Sequence, residues 1–148
     1  METVTDLIPI LEKRIRHISG AIKQSGRKIL KNYPITSPQF IALQWIIEED
    51  NLTIGELSNK ISLAFSTTTD LVDRLEKNGL VQRTKDESDR RVVRIIPLEK
   101  GKAIINEVIE KRREYLGEVI GSFTTEQAEA LDELLEQLYE RMKNINER

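Results

Sequence analysis

The run LVDRLEKNGLVQRTKDESDRRVVRIIPLEKG, from Leu71 to Gly101, decides the fold because the spacing of its apolar residues changes partway along. Up to Leu75 the apolar residues recur at helical spacing, and the following Asn-Gly pair is typical of a helix end, where glycine takes a left-handed conformation. After this pair, residues 80–85 and 92–96 are two short β-like runs. The polar residues between these runs predict the tip of a β-hairpin.

Two helices precede this hairpin. Thr53 and Glu56 have the spacing of a capping box, in which the hydroxyl accepts a backbone hydrogen bond and the carboxylate reaches back, so we predict a helix over 54–60. A tight connection through Ser62 leads to a helix over about 64–78. The side of this helix that should pack on the preceding one comprises Ala64, Thr68, Leu71, Val72 and Leu75. Helix, tight turn, helix and hairpin together form the winged helix-turn-helix arrangement.

Amphipathic helices also precede this core. Apolar residues at steps of three, four or seven predict a first helix from Leu7 to about Asn32. A second helix begins at Pro38, with Ser37 as its N-cap, and ends near Glu49. Its predicted buried residues are Phe40, Ile41, Leu43 and Ile47.

Helical spacing returns after the hairpin. Two long helices follow, the first carrying apolar residues from Ile104 to Ile120. The expected fold is therefore mainly α with a small β-hairpin wing, built as one continuous unit. Residues 34–97 form its winged helix-turn-helix region, and residues 1–33 and 98–148 form long helices with apolar stripes outside that core. Because such stripes need a partner surface, we expect these helices to form a dimer.

Composition restricts the possible chemistry. The chain has no cysteine, which excludes a disulfide framework and a thiolate metal site. With one histidine, isolated glycines and scattered carboxylates, we predict no enzyme activity, no metal and no cofactor. No apolar run is long enough to span a membrane, and we expect a cytoplasmic protein. The net charge of −2 does not indicate a nucleic-acid partner, although residues 50–100, with 9 basic and 9 acidic side chains, can still present a basic edge.

The geometry of DNA gives the fourth helix a possible role. The major groove admits one α-helix, and residues in the first turns of a recognition helix meet base edges. Hydroxyl groups can donate or accept there. The candidates for base contact are Ser66, Thr67 and Thr69, with Asp70 beside them, and the candidates for phosphate contact are Arg74 and Lys77. Serine and threonine also begin many helices without binding anything, so these residues alone indicate little.

The hairpin tip packs three acidic residues and two arginines into residues 86–91. A cluster of this kind is usually a solvated turn. Beside a recognition helix, however, Arg90 and Arg91 are candidates for insertion into the minor groove, where the negative potential is concentrated. Asp89 is close enough in sequence to orient one of them through a charge-assisted hydrogen bond. Asp86 is expected to shape the turn by accepting from its own backbone.

The quoted run resembles the DNA-binding core of the multiple antibiotic resistance regulator (MarR) family of bacterial transcription factors. The matching parts are Leu-Glu-Lys-Asn-Gly-Leu-Val at 75–81, Asp-x-Arg at Asp89 and Arg91, and Glu-Lys-Gly at 99–101, and the order of helices agrees on both sides. The resemblance implies a homodimer with interlocked terminal helices. It also implies a repressor that a small aromatic or lipophilic effector releases from a near-palindromic double-stranded DNA operator.

Two positions depart from the family pattern. Asp70 stands where many relatives have a basic residue, so either a DNA contact is missing or a cytosine amino group is read instead. Pro97-Leu98 replaces a common Leu-Thr, so the fifth helix loses a threonine N-cap. The resemblance further implies an effector pocket, for which the candidate lining residues are His17, Tyr33, Trp45 and Arg112. Each of the four also has an ordinary explanation as a core, capping, surface or dimer salt-bridge residue.

An alternative interpretation keeps the fold but replaces DNA with a protein partner. A winged helix can serve as a scaffold for protein binding, and the neutral middle of this chain permits that use. The wing discriminates between the two interpretations, because paired arginines suit a minor-groove contact and have no evident purpose in a protein-binding wing. We therefore expect replacement of Arg90 and Arg91 by alanine to abolish specific DNA binding and leave a dimer intact.

Overall fold

The computed structural model describes residues 3–147. Its backbone packing divides the chain into two compact units, residues 1–112 and 113–148. The helices and strands are α1 (Val4–Leu30), α2 (Ser37–Glu48), β1 (Leu52–Thr53), α3 (Ile54–Ile61), α4 (Phe65–Lys77), β2 (Val81–Lys85), β3 (Val93–Pro97), α5 (Glu99–Ile120) and α6 (Thr125–Asn146). The predicted class, mainly α with a small hairpin wing, is confirmed. No helix within the described residues is long and apolar enough to cross a membrane.

Threonine capping boxes begin α1, α2, α3 and α6. The predicted box at α3 is confirmed, since the Thr53 hydroxyl accepts from the Glu56 amide at 3.1 Å and Glu56 Oε1 accepts from the Thr53 amide at 3.3 Å. The prediction that Ser37 caps α2 is wrong, because Thr36 is the N-cap and Ser37 is the first helical residue. Gln39 explains the difference: it lies three residues after Thr36, and its Oε1 accepts from the Thr36 amide at 3.0 Å.

A complete Schellman motif ends α4, as the Asn-Gly pair predicted. Gly79 has a φ of 75°, and its amide donates to Glu76 O at 3.0 Å. The Leu80 amide donates to Leu75 O at 2.9 Å. Leu80 is itself buried, so the connection between α4 and β2 packs against the core.

The two hairpin strands pair antiparallel, with Val81 opposite Pro97 and Lys85 opposite Val93. The structure adds one strand that the sequence analysis did not predict. β1 pairs antiparallel with β3, which makes the sheet order β1-β3-β2. Two residues are too few for an alternating pattern to be visible in a sequence. Through β1, the residues that begin α3 are joined to the wing.

The core of residues 1–112 lies among α2, α3, α4, the hairpin and the first half of α5. Its most deeply buried apolar side chains are Ala42, Leu43, Leu57, Val72, Leu75 and Ile95. Two burial predictions are wrong. Ile41 is 44% exposed, because the inward face of α2 is formed by residues 39, 40, 42, 43 and 46 and Ile41 lies on the opposite flank. Ala64 is exposed because it is the N-cap of α4 and has extended backbone, so helical spacing does not apply to it.

The second unit, residues 113–148, contains the end of α5 and all of α6. None of the described residues of α6 is buried. Its exposed large apolar side chains are Leu134, Leu135, Leu138, Tyr139, Met142 and Ile145. In the first unit, α1 exposes Ile8, Leu11, Ile15, Ile18 and Ile22. The apolar stripes predicted from the sequence are thus present on both helices and accessible to solvent.

Candidate nucleic-acid interface

The start of α4 presents backbone donors to solvent. Ala64 is its N-cap and makes no side-chain capping hydrogen bond, in contrast to the threonine caps of α1, α2 and α3. The first amides of the helix, on Phe65, Ser66 and Thr67, therefore have no capping side chain. This end of the helix suits a phosphate oxygen, because free amide donors and the positive end of the helix dipole coincide there.

The hydroxyl residues predicted to contact bases differ in what they offer a ligand. Ser66 and Thr67 are exposed. Thr69 is half-buried, and its hydroxyl donates to Phe65 O at 3.0 Å, so it can only accept from a ligand. The remaining predicted residues of α4, all exposed, are Asp70, Arg74 and Lys77. The structure thus brings the predicted residues together along one helix, and their contacts with DNA remain predictions.

Arg83 of β2 joins α4 to the wing, and sequence analysis missed it. Its amide and Nη1 donate to the two carboxylate oxygens of Glu76 at 2.8 and 2.7 Å, and its Nη2 donates to Asp73. The hydrogen bond from the Arg83 amide is the main cause of a lowered pKa of Glu76. A signal existed, since Asp73 and Glu76 lie three residues apart on one helix face and a cation follows on the next strand. We call these three residues the helix–wing clamp, because they fix α4 relative to β2.

Two aspartates organise the wing tip. Asp86 Oδ2 accepts from the amides of Ser88 and Asp89, both at 3.0 Å, which confirms the predicted turn. Asp89 Oδ1 accepts from the Arg91 amide at 3.1 Å and from Arg91 Nε at 3.0 Å. Asp89 Oδ2 accepts from Arg91 Nη2 at 3.1 Å, so the carboxylate holds the guanidinium at two points. The hydrogen bonds from the Arg91 guanidinium lower the pKa of Asp89.

The two wing arginines differ in how they are held. The Arg91 side chain is 91% exposed even though Asp89 binds it, so the guanidinium is oriented and still accessible to a ligand. Arg90 is exposed, and it makes no hydrogen bond or ion pair with any other residue of the described range 3–147. Arg91 is therefore the pre-oriented probe of the wing, and Arg90 is the adaptable one.

A third hairpin arginine, Arg94, was also missed by sequence analysis. Its Nη1 donates to Asn51 O at 3.1 Å and to Glu56 Oε1 at 3.2 Å. Its Nε donates to Asp86 Oδ1 at 3.3 Å. Arg94 thereby connects the wing tip to the residues on both sides of β1. An arginine in the middle of a short strand was the available signal, because a half-buried guanidinium needs acceptors.

An open groove of about 490 Å³ lies between α3, the start of α4 and the wing. Its larger apolar lining residues are Ile54, Phe65, Val92 and Val93, and its polar lining residues are Thr53, Thr69, Arg83 and Arg91. Phe65 is 62% exposed, and the sequence analysis assigned it to neither face of the helix. The structure therefore adds an accessible aromatic side chain to the surface that carries the predicted DNA-contacting residues.

The four candidate effector residues lie in different settings. His17 is exposed on α1 and lines an open depression of about 430 Å³ with other α1 residues. Tyr33 and Trp45 pack half-buried against the core, and a lysine ammonium lies 5.2 Å from the centre of the Trp45 ring. Arg112 is exposed, with its guanidinium 5.8 Å from the centre of the Phe40 ring.

In the described part of the chain, no group of three or more histidine and carboxylate side chains is arranged to hold a metal ion.

Known proteins share this architecture and much of this sequence. The MarR family model matches residues 35–93. The chain is 53% identical over 143 residues to the uncharacterized HTH-type transcriptional regulator YsmB of Bacillus subtilis (strain 168), which covers 97% of this chain and 95% of that protein. It is 24% identical over 140 residues to the transcriptional repressor MprA of Escherichia coli (strain K12), covering 93% and 80%. A solved structure of a MarR family protein from Bacillus stearothermophilus matches with a TM-score of 0.90 at 54% identity, covering 96% and 99%.

Proposed function

Because this chain belongs to the MarR family of transcriptional regulators, we propose that it is a homodimer that binds a near-palindromic operator and represses transcription in the bacterial cytoplasm. A small aromatic or lipophilic effector releases it from the DNA. The observation that carries the proposal is the pairing of an exposed, uncapped start of α4 with a wing in which Asp89 pre-orients Arg91. These two elements suit a major groove and the adjacent minor groove. The name of the MprA relative supports repression.

Each part of the interface has a proposed task. The base-contacting residues are Ser66, Thr67, Thr69 and Asp70, and the phosphate-contacting residues are Arg74 and Lys77. Arg90 and Arg91 enter the minor groove, whose concentrated negative potential attracts guanidinium groups. Asp89 does not itself bind DNA, because both of its carboxylate oxygens already accept hydrogen bonds from Arg91. Its task is to hold Arg91 in the orientation that the groove requires.

The exposed apolar stripes support the homodimer. Residues 1–33 and 98–148 form the proposed dimerisation region, and residues 34–97 form the DNA-binding region. Exposed apolar surface on this scale, on α1 and α6, is typical of a protein interface and is costly to leave in water. A two-fold dimer would place its two recognition helices about one DNA turn, roughly 34–36 Å, apart, which matches a near-palindromic operator.

The experiment is a fluorescence-anisotropy titration. Purified protein is titrated against duplexes from the intergenic region upstream of its own gene and against shuffled duplexes, each at two salt concentrations. The test variant is Arg90→Ala with Arg91→Ala. Arg27→Ala with Lys28→Ala is the matched control, since it removes the same charge from two adjacent exposed residues of α1 that lie outside the apolar stripe of that helix. Analytical ultracentrifugation measures the oligomeric state of all three proteins.

We expect tight, saturable and sequence-selective binding that weakens with salt, because phosphate contacts release counterions. The wing variant should lose this selective binding and remain a dimer, and the α1 control should retain both properties. Unchanged operator affinity in the wing variant would refute the role of the two arginines. If the unmodified protein bound the upstream and shuffled duplexes equally weakly, a pull-down of fragments of the whole genome would follow. Failure of that pull-down to enrich any fragment would favour a winged helix that serves protein partners.

Effector release is testable through the single tryptophan. Trp45 is half-buried against the core, so a ligand that packs beside it should change its fluorescence. A panel of aromatic acids and lipophilic phenols is titrated into the protein, and each compound that alters the fluorescence is then tested for release of the bound operator. Variants of His17, Tyr33 and Arg112 to alanine identify which of the candidate lining residues contribute. If a compound released the operator and none of the variants changed its affinity, these residues would be excluded as the lining of the effector pocket.

A further inference from the structure

Phe65 is the most exposed large apolar side chain of residues 31–112, at 62%. It is the first residue of α4, next to Ser66 and Thr67, in the turn of the helix that is proposed to meet base edges. An aromatic ring left in water at that position forgoes the free energy that burial would contribute. A ligand that covers the ring would therefore gain binding free energy.

The surroundings of Phe65 indicate the chemistry of that ligand. The groove beside it has an apolar lining formed by Ile54, Val92 and Val93, and Arg91 lies at the same groove. The Thr69 hydroxyl, which also lines the groove, is already satisfied by the Phe65 carbonyl at 3.0 Å. An apolar group can therefore approach without leaving that hydroxyl proton unpaired. The site thus combines a small apolar contact surface with a cation, which suits a methyl group attached to a polyanion.

We infer that Phe65 contacts the C5-methyl group of a thymine in the major groove of each operator half-site, and that this contact helps to determine which sequence is bound. The inference rests on the proposed function, since it specifies one base that the regulator reads. Thymine alone among the four DNA bases presents a methyl group in the major groove, and phenylalanine is one of the side chains that contact it. The hydroxyl residues beside Phe65 can supply the polar part of the same readout.

The test removes the methyl group from the DNA and the ring from the protein separately. Each thymine of the selected operator is replaced in turn by deoxyuridine, which lacks only the C5-methyl group. Dissociation constants are measured by anisotropy for the unmodified protein, for Phe65→Ala and for Ile41→Ala. Ile41 is a matched control because it is also an exposed apolar residue but lies on α2. Thermal unfolding of each variant verifies that it is folded.

For the unmodified protein, we expect deoxyuridine at one position of a half-site to raise the dissociation constant about fourfold, and about fifteenfold when both half-sites are changed, from the burial of one methyl group each. Phe65→Ala should bind the thymine operator more weakly and respond to deoxyuridine at that position by less than twofold. Ile41→Ala should behave like the unmodified protein.

The possible failures are distinguishable. Selective operator binding without any sensitivity to deoxyuridine would overturn the thymine contact and leave the regulator intact. Equal sensitivity in the unmodified protein and in Phe65→Ala would assign the methyl contact to another side chain and also overturn the inference. Failure to find any selectively bound duplex in the genome would overturn the proposed function, and the inference with it.

Discussion

Replacing Gly101 with alanine tests how closely α5 approaches Leu80 in the turn that ends α4. A Cβ atom at Gly101 would lie 2.4 Å from the Leu80 carbonyl oxygen and 3.3 Å from Leu43 Cδ1. Both leucines are buried, and the Leu80 carbonyl already accepts a hydrogen bond from the Leu98 amide at 2.9 Å. The carbonyl therefore cannot move away from a new methyl group without weakening that bond and disturbing the core.

The expected change in the free energy of unfolding is the sum of opposing contributions. Overpacking of this severity costs about 3 kcal/mol, and weakening the Leu98 hydrogen bond adds up to about 1 kcal/mol. Alanine recovers about 1 kcal/mol, because it favours a helix interior more than glycine does. We therefore expect Gly101→Ala to lower the free energy of unfolding by about 2–3 kcal/mol. Gly117→Ala is the control on the same helix. Its Cβ would meet nothing within 4 Å, so it should be neutral or stabilising by up to about 1 kcal/mol.

The assay is urea denaturation followed by far-ultraviolet circular dichroism and by the fluorescence of Trp45, the single tryptophan. All proteins are compared at one protomer concentration, because the stability of the proposed dimer would depend on that concentration. A Gly101→Ala variant as stable as the unmodified protein would refute the close approach of α5 to Leu80. Stabilisation of both glycine variants would show that helix propensity, rather than packing at Gly101, decides the outcome.

Two further predictions concern the wing and the helix–wing clamp. Asp89→Asn removes the charge that orients Arg91. We expect operator affinity to fall by about two- to fivefold, because an exposed ion pair contributes little, and thermal stability to stay unchanged. Unaltered affinity in the anisotropy titration would contradict pre-orientation. Glu76 has a lowered pKa in the folded chain, so its ionised form stabilises the fold above its ordinary pKa, and this contribution is lost as the pH falls through the lowered value. Glu76→Gln should therefore lower the urea midpoint near neutral pH, by a difference that shrinks in acid; a difference independent of pH would refute the role of the carboxylate.

The features that could be predicted from sequence are those with local causes. The box at Thr53 and Glu56 needs only residues three apart, and the end of α4 needs only a glycine that tolerates a φ of 75°. The Asp86 turn and the Asp89–Arg91 pair likewise lie within a few residues. Such features form between residues that are close together in the sequence, so the types and spacing of those residues identify them.

The features that could not be predicted depend on residues distant in sequence. Arg94 finds Asn51 and Glu56 only because β1 pairs with β3, and β1 is too short to leave a pattern. Arg83 meets Asp73 and Glu76 only after the Schellman turn reverses the chain. A charged residue in these positions indicates that a partner is needed. The identity of that partner follows from the fold and not from the spacing.

Phe65 was missed for a different physical reason. It precedes Val72 by seven residues, about two helical turns, so the two side chains have nearly the same angle around the helix axis. Val72 is fully buried and Phe65 is 62% exposed, because the first turn of α4 extends past the edge of the core that covers Val72. Helical spacing reports the angle of a residue around the axis and says nothing about how far along that axis the core reaches. An apolar residue in the first turn of a helix can therefore be exposed even where its spacing fits the buried stripe.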